Sequence, residues 1–128
     1  MKRALSVLLG AAALLLSSAA VADRVLCQVT YYDTIQLIEA VPVDSPYAVE
    51  PQAIGSYFLF RLVVEGKPAD LAVIKVYVYA DHESGATLIH QANYSYPATN
   101  AATHGFSGLN FVYEPVRDGE LQYWCEQK

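Results

Sequence analysis

Leu71-Ala-Val-Ile-Lys-Val-Tyr-Val-Tyr-Ala80 decides how this chain folds. It carries one charge, Lys75, and is otherwise dominated by β-branched and aromatic side chains, the composition of a strand inside a sheet. Turn-forming segments flank it: Glu65-Gly-Lys-Pro-Ala-Asp70 before and Asp81-His-Glu-Ser-Gly85 after. A strand with a hairpin on each side is the central strand of an antiparallel sheet.

The neighbours fit that reading. Residues 56–65 alternate, with Phe58, Phe60, Leu62 and Val64 on one face and Tyr57, Leu59, Arg61 and Val63 on the other. The central strand places Ala72, Ile74, Val76 and Val78 opposite Val73, Lys75, Tyr77 and Tyr79. A following strand over 86–94, closed with Ala80 opposite Ala86, sets Val78 against Leu88, Val76 against His90 and Ile74 against Ala92. A slip of one residue would invert every side chain. On the other side, a symmetric loop brings Arg61 near Lys75. Like charges there would repel, so either an acidic neighbour or another register is expected.

Working outward, residues 25–32 alternate with Val25, Cys27, Val29 and Tyr31 on the core side. A shorter strand is expected within 35–43. Pro42, Pro46 and Pro51 then exclude a central strand, so 42–55 reads as a crossing loop or an edge. Residues 97–108 read as loop, 109–113 as strand, 115–119 as turn and 120–127 as the last strand. Six or seven antiparallel strands at this spacing imply an all-β, two-sheet β-sandwich, with a small barrel as the alternative.

The first residues are processing signal rather than fold. Lys2 and Arg3 form a basic start, 4–16 an apolar run, and Ala20-Val21-Ala22 a cleavage motif. Together they read as a secretory signal peptide over residues 1–22, ahead of a single domain over 23–128. The apolar run is short for a spanning helix and leads directly into the cleavage motif. Arg24-Val25-Leu26 before Cys27 is unlike a lipobox, and the apolar runs at 57–64 and 71–80 are strand-length. No integral membrane span is therefore expected after cleavage. Removing Lys2 and Arg3 leaves six basic residues against thirteen acidic ones, a net charge of −7. No basic footprint for nucleic acid or an anionic membrane remains.

The two cysteines, Cys27 and Cys125, lie in the first and last strands. An even count in an exported chain favours a disulfide, which would set those strands side by side. Free thiols serving metal or redox chemistry are the alternative, but the chain has no C-x-x-C motif and no histidine close in sequence to either cysteine. Tyr123-Trp-Cys125 resembles the immunoglobulin strand in which a tyrosine stands two residues before the second cysteine. The match covers Tyr123 and Cys125 alone; Asp118 is offset by one residue and no tryptophan follows Cys27 at the family's distance. The resemblance implies an immunoglobulin-like sandwich in general architecture, without membership of that family.

Chemistry is sparsely marked. His90, aimed at the core, reads as a satisfied core residue, whereas His82 and His104 lie in loops where they could meet carboxylates around a metal. His104-Gly-Phe-Ser-Gly108 lacks the G-x-S-x-G spacing of a hydrolase elbow and more simply marks a loop or bulge. Asn93-Tyr-Ser95 is a formal glycosylation sequon, set aside because the short signal peptide has a bacterial form. Phosphate-loop and calcium-loop patterns are missing, so no catalytic residue, metal ligand or cofactor is assigned. The strongest cue is aromatic. Tyr57, Tyr77 and Tyr79 share a strand face with Arg61 and Lys75, a candidate surface for a protein partner. The competing reading packs that face beneath the 33–55 segment. The functional expectation is a small, exported, non-enzymatic protein, periplasmic or extracellular, acting as a protein-binding accessory or inhibitor in a bacterial cell envelope. The alternatives are a small-molecule or metal carrier using His82 and His104, and, last, a hydrolase.

Overall fold

A computed structural model describes residues 23–128. The expected signal peptide lies outside the described residues. Eight strands follow in order: β1 (Val25–Tyr31), β2 (Thr34–Ala40), β3 (Gln52–Ile54), β4 (Phe58–Glu65), β5 (Val73–His82), β6 (Gly85–Ser95), β7 (Asn110–Glu114) and β8 (Gly119–Gln127). They form two antiparallel four-stranded sheets, ordered β2-β1-β8-β7 and β3-β4-β5-β6. The chain is thus an all-β sandwich, as its alternation implies. The strand beyond the expected six or seven is β3, three residues behind Pro51, too short to show as a pattern.

The core lies between the inner faces. Val25, Cys27, Val29, Leu121, Tyr123 and Cys125 from the first sheet meet Phe58, Phe60, Leu62, Ile74, Val76 and Val78 from the second, all buried. Cys27 and Cys125 are direct cross-strand partners joined by a disulfide, with Cα atoms 4.0 Å apart. The backbone N–H of Cys125 turns away from β1 and donates to Ser107 Oγ at 2.8 Å, and its carbonyl accepts from Phe106 N–H at 3.0 Å. The bonded cysteines therefore form a non-hydrogen-bonded pair, the type in which antiparallel side chains stand closest. Gly105 makes this contact possible: its φ is +57°, and a Cβ there would collide with the Cys125 carbonyl oxygen. The His104–Gly108 stretch is a loop, and its serine hydroxyl serves β8.

β5 lies between β4 and β6 as expected, but both registers differ from the symmetric closures. Before β5 the chain makes a 3-10 turn, Ala69–Leu71, so Glu65 pairs with Val73, Lys75 with Val63 and Arg61 with Tyr77. The expected clash of Arg61 with Lys75 is avoided. Lys75 Nζ instead meets Glu65 Oε2 at 3.1 Å. After β5 the turn is tighter, with His82 opposite Gly85, and a bulge places Ile89 as an extra residue in β6. Leu88 consequently pairs with Tyr79 and is exposed, not buried against Val78. Past the bulge Val78 faces His90, Val76 faces Ala92 and Ile74 faces Tyr94. The bulge leaves His90 and Ala92 on the core face while moving each one place along.

The proline-rich segment is both crossing and edge. β2 ends at Ala40, and Val43 N–H donates to Val64 O at 2.9 Å. The chain then makes the short Pro46–Ala48 turn and returns as β3 against β4. Replacing Cys27 and Cys125 together by alanine should lower the unfolding free energy by about 2–5 kcal/mol. Urea unfolding of the oxidised protein and the double variant measures this, and non-reducing peptide mapping should recover the two cysteines in one linked pair.

Candidate functional site

Cross-strand register brings Arg61, Lys75, Tyr77 and Tyr79 onto the outer face of the second sheet. The Arg61 guanidinium lies 4.9 Å from the Tyr77 ring centroid, and Tyr77 stacks on Tyr79 at 6.4 Å with 19° between planes. These aromatics are half-buried. Arg61 does not point freely outward: Nε donates to Val49 O at 2.9 Å, and Nη2 donates to Pro46 O. Its charge pins the crossing segment to β4. Lys75 is held by Glu65, and that carboxylate raises its pKa. Both cations of the expected partner surface thus have partners within the chain. Tyr57 stands apart from the group, its ring 4.1 Å beneath the Arg117 guanidinium and near Tyr31.

That arginine belongs to a polar cluster the sequence reading did not single out. Glu114 is buried at the end of β7, where Val116 N–H and Arg117 N–H donate to its two oxygens at 3.1 and 3.0 Å. Arg117 Nε adds a bond to Glu114 Oε2 at 3.3 Å, while Nη1 and Nη2 reach the carbonyls of Asp81 and Tyr57. The cluster ties the β7–β8 turn of one sheet to β4 and β5 of the other. Burial alone would raise the Glu114 pKa, but the Arg117 and Val116 donors outweigh it and hold the carboxyl below its ordinary value. The carboxylate is charge-balanced and accepts three hydrogen bonds, as a structural anion does. The spacing Glu114-Pro-Val-Arg117 across a turn is the signal that could have revealed it.

His82 and His104 do not converge. His82 Nε2 stands 3.8 Å from Glu114 Oε1, while the ring of His104 packs edge-on to Trp124 at 5.8 Å. Among the described residues no group of three or more His, Cys, Asp or Glu is placed to hold a metal ion. His90 is satisfied within the core, as its position implies, since its Nε2 and the Tyr123 hydroxyl share a hydrogen bond of 2.7 Å. Burial lowers the histidine pKa, while burial together with Tyr94 raises that of the tyrosine, and both shifts favour the neutral form. A cavity of about 620 Å³ is lined by His82, Glu83, Ser84, Val116 and Arg117. Its arginine is already spent on Glu114 and two carbonyls.

A group of exposed apolar side chains lies elsewhere, on the outer face of the first sheet. Pairing sets Ile35, Thr30, Gln122 and Phe111 in one row across all four strands, and Leu37, Gln28 and Trp124 in the next. Neither row carries a charge. Ile35, Leu37 and Phe111 are 60%, 60% and 58% exposed, and Tyr113 is exposed beside them. Charge returns at the margins, where Arg24 pairs with Glu39 at 3.0 Å and Lys128 with Glu126 at 2.6 Å. Seeing the belt requires the strand order, because its members are scattered from 28 to 124.

Comparison with protein-family models, with curated proteins and with solved structures finds no match to the chain. Among the described residues no helix is long and apolar enough to cross a membrane.

The Glu114 cluster sets a pH dependence. Its folded pKa is depressed below the ordinary 4.5, so its stabilising contribution is present above that value and lost as pH falls through the folded pKa. Glu114→Gln should lower the melting temperature at neutral pH and flatten the acid limb, converging with the parent below the carboxylate range. Thermal melts across a pH series read both effects.

Proposed function

We infer that the protein is a small, exported, non-enzymatic binding module of a bacterial cell envelope, acting as accessory factor or inhibitor through a protein partner. The observation that carries this reading is the uncharged belt on the first sheet. In a chain whose mature form has a net charge of −7, two adjacent rows of a four-stranded face hold no charge and expose Ile35, Leu37 and Phe111. Exposed apolar side chains grouped on a flat face mark protein contact surfaces, and aromatic residues are enriched at their centres. Trp124 stands within the belt, and the paired charges Arg24–Glu39 and Glu126–Lys128 supply a polar rim.

The tyrosine-rich face of the second sheet is the weaker contact surface. Arg61 holds the crossing segment and Lys75 holds Glu65, so a partner would have to displace bonds already made. The carrier reading would draw on His82 and His104, which lie against different neighbours, Glu114 and Trp124. Export rests on the residue 1–22 pattern, and the disulfide agrees with an oxidising compartment.

The test is a pull-down of native envelope extract on tagged protein, run beside two variant pairs. Leu37→Glu with Phe111→Glu should abolish recovery of a stoichiometric partner, while Arg61→Ala with Tyr77→Ala should leave it within about twofold. Partner recovery indifferent to the belt pair would refute the assignment. Recovery that vanishes with chelator would turn the reading toward the carrier.

A further inference from the structure

From Ser84 to Tyr113 the sequence contains no Asp, Glu, Lys or Arg. That stretch comprises β6, the loop after it and most of β7, which are edge strands of the two sheets. Exposed edges invite pairing with other chains, and proteins blunt them with brevity, charge, proline or bulges. Three edges here follow that rule. β3 has three residues and follows Pro51; β2 carries Glu39 with its Arg24 partner; β7 has five residues, closed by Glu114 and Pro115. β6 is the exception, with eleven residues and neither charge nor proline. Its bulge at Ile89 interrupts the strand but leaves His90 to Ser95 in regular register with β5.

The direction of its backbone groups follows from one bond. Tyr96 N–H donates to Ala72 O across the β5 side, so even-numbered residues after the bulge turn their polar groups toward β5. Gln91, Asn93 and Ser95 turn theirs to the open edge. Among the described residues, no main-chain or side-chain group bonds to the backbone of these three on that edge. Their side chains are exposed and uncharged, and Gln91 Nε2 already reaches Asn93 Oδ1 at 3.5 Å.

We propose that β6 pairs antiparallel with β6 of a second copy about a two-fold axis at Asn93, joining the β3-β4-β5-β6 sheets of the two copies into one continuous eight-stranded sheet. The strand is self-complementary in this register. Asn93 faces Asn93 of the second copy, and Gln91 faces Ser95 of the second copy, so all three outward residues meet outward residues. The ladder closes with both donors and acceptors matched, and a two-fold contact of this kind ends at the dimer. Self-pairing sets the residue on the axis against its own copy, and that is where charge would forbid it. The absence of charge along β6 removes that barrier in a chain that is otherwise acidic. A second copy is therefore the occupant the edge fits, and the surface lies on the opposite sheet from the uncharged belt.

Sedimentation equilibrium of the purified, oxidised protein across a dilution series tests this. The protein should distribute between monomer and dimer. Asn93→Pro deletes an N–H that points away from β5, so the fold is retained while each copy loses one ladder donor. The dimer should weaken about 30-fold. Asn93→Lys should weaken it through like charges across the axis, with recovery in high salt. Unchanged far-UV circular dichroism verifies the fold of both variants. A monomer at every concentration overturns the proposal, as does a dimer that neither substitution weakens. Loss of partner capture with Leu37→Glu and Phe111→Glu, at unchanged dimerisation, separates this edge from the belt.

Discussion

The disulfide between Cys27 and Cys125 is the constraint on which the rest of the sandwich depends. It joins residues directly opposite one another in β1 and β8, the two central strands of their sheet. Strand side chains alternate with a period of two, so locking one opposed pair locks every other pair in that ladder. Val25, Val29, Leu121 and Tyr123 are committed to the core by the same link that commits Gln28, Thr30, Gln122 and Trp124 to the outside. The uncharged belt is thus a consequence of register. The core side is completed from outside the ladder, because Cys125 turns its backbone toward Gly105 and Ser107, and only glycine leaves room for that approach.

Where the disulfide holds one sheet, arginines hold the sheets and loops to each other. Arg117 spans from Glu114 to the carbonyls of Tyr57 and Asp81, and Arg61 gathers the carbonyls of Val49 and Pro46. In both cases a guanidinium donates to main-chain oxygens of a neighbouring segment, and its multiple donors let one side chain bind several of them. Each also lies over a tyrosine ring, Tyr57 for Arg117 and Tyr77 for Arg61. Aromatic residues that look like recognition elements by composition are here partly the apolar bedding of structural cations.

Strand composition and alternation were legible because they are local properties. The central place of β5, the inward faces of β1, β4 and β8, and the cysteine pairing could all be read from spacing along the chain. Register was less legible, since it depends on turn geometry: the 3-10 turn at Ala69–Leu71 and the bulge at Ile89 each shift pairing without changing hydrophobic pattern. Leu88 shows the effect, being apolar by type yet displaced to the outer face by one extra residue. Surfaces were the least legible. Ile35, Leu37, Phe111 and Trp124 become neighbours only through the order β2-β1-β8-β7, and the Arg61 partners come from a proline-rich segment with no regular period.

The strand order also bears on when the molecule can form. The β3-β4-β5-β6 sheet is built from consecutive strands, so it can assemble from contacts between near neighbours. β1 also makes a local hairpin with β2, but its other edge belongs to β8, and the cysteine partners are 98 residues apart in sequence. That first sheet must wait for almost the whole domain to be present, since distant pairings incur their loop-closure cost before any contact rewards it. A chain that becomes available from its N-terminus, as in synthesis, therefore has β1 half-paired and Cys27 without its partner until β8 arrives. The two halves of the sandwich differ in the stage at which they can form, one early and the other last.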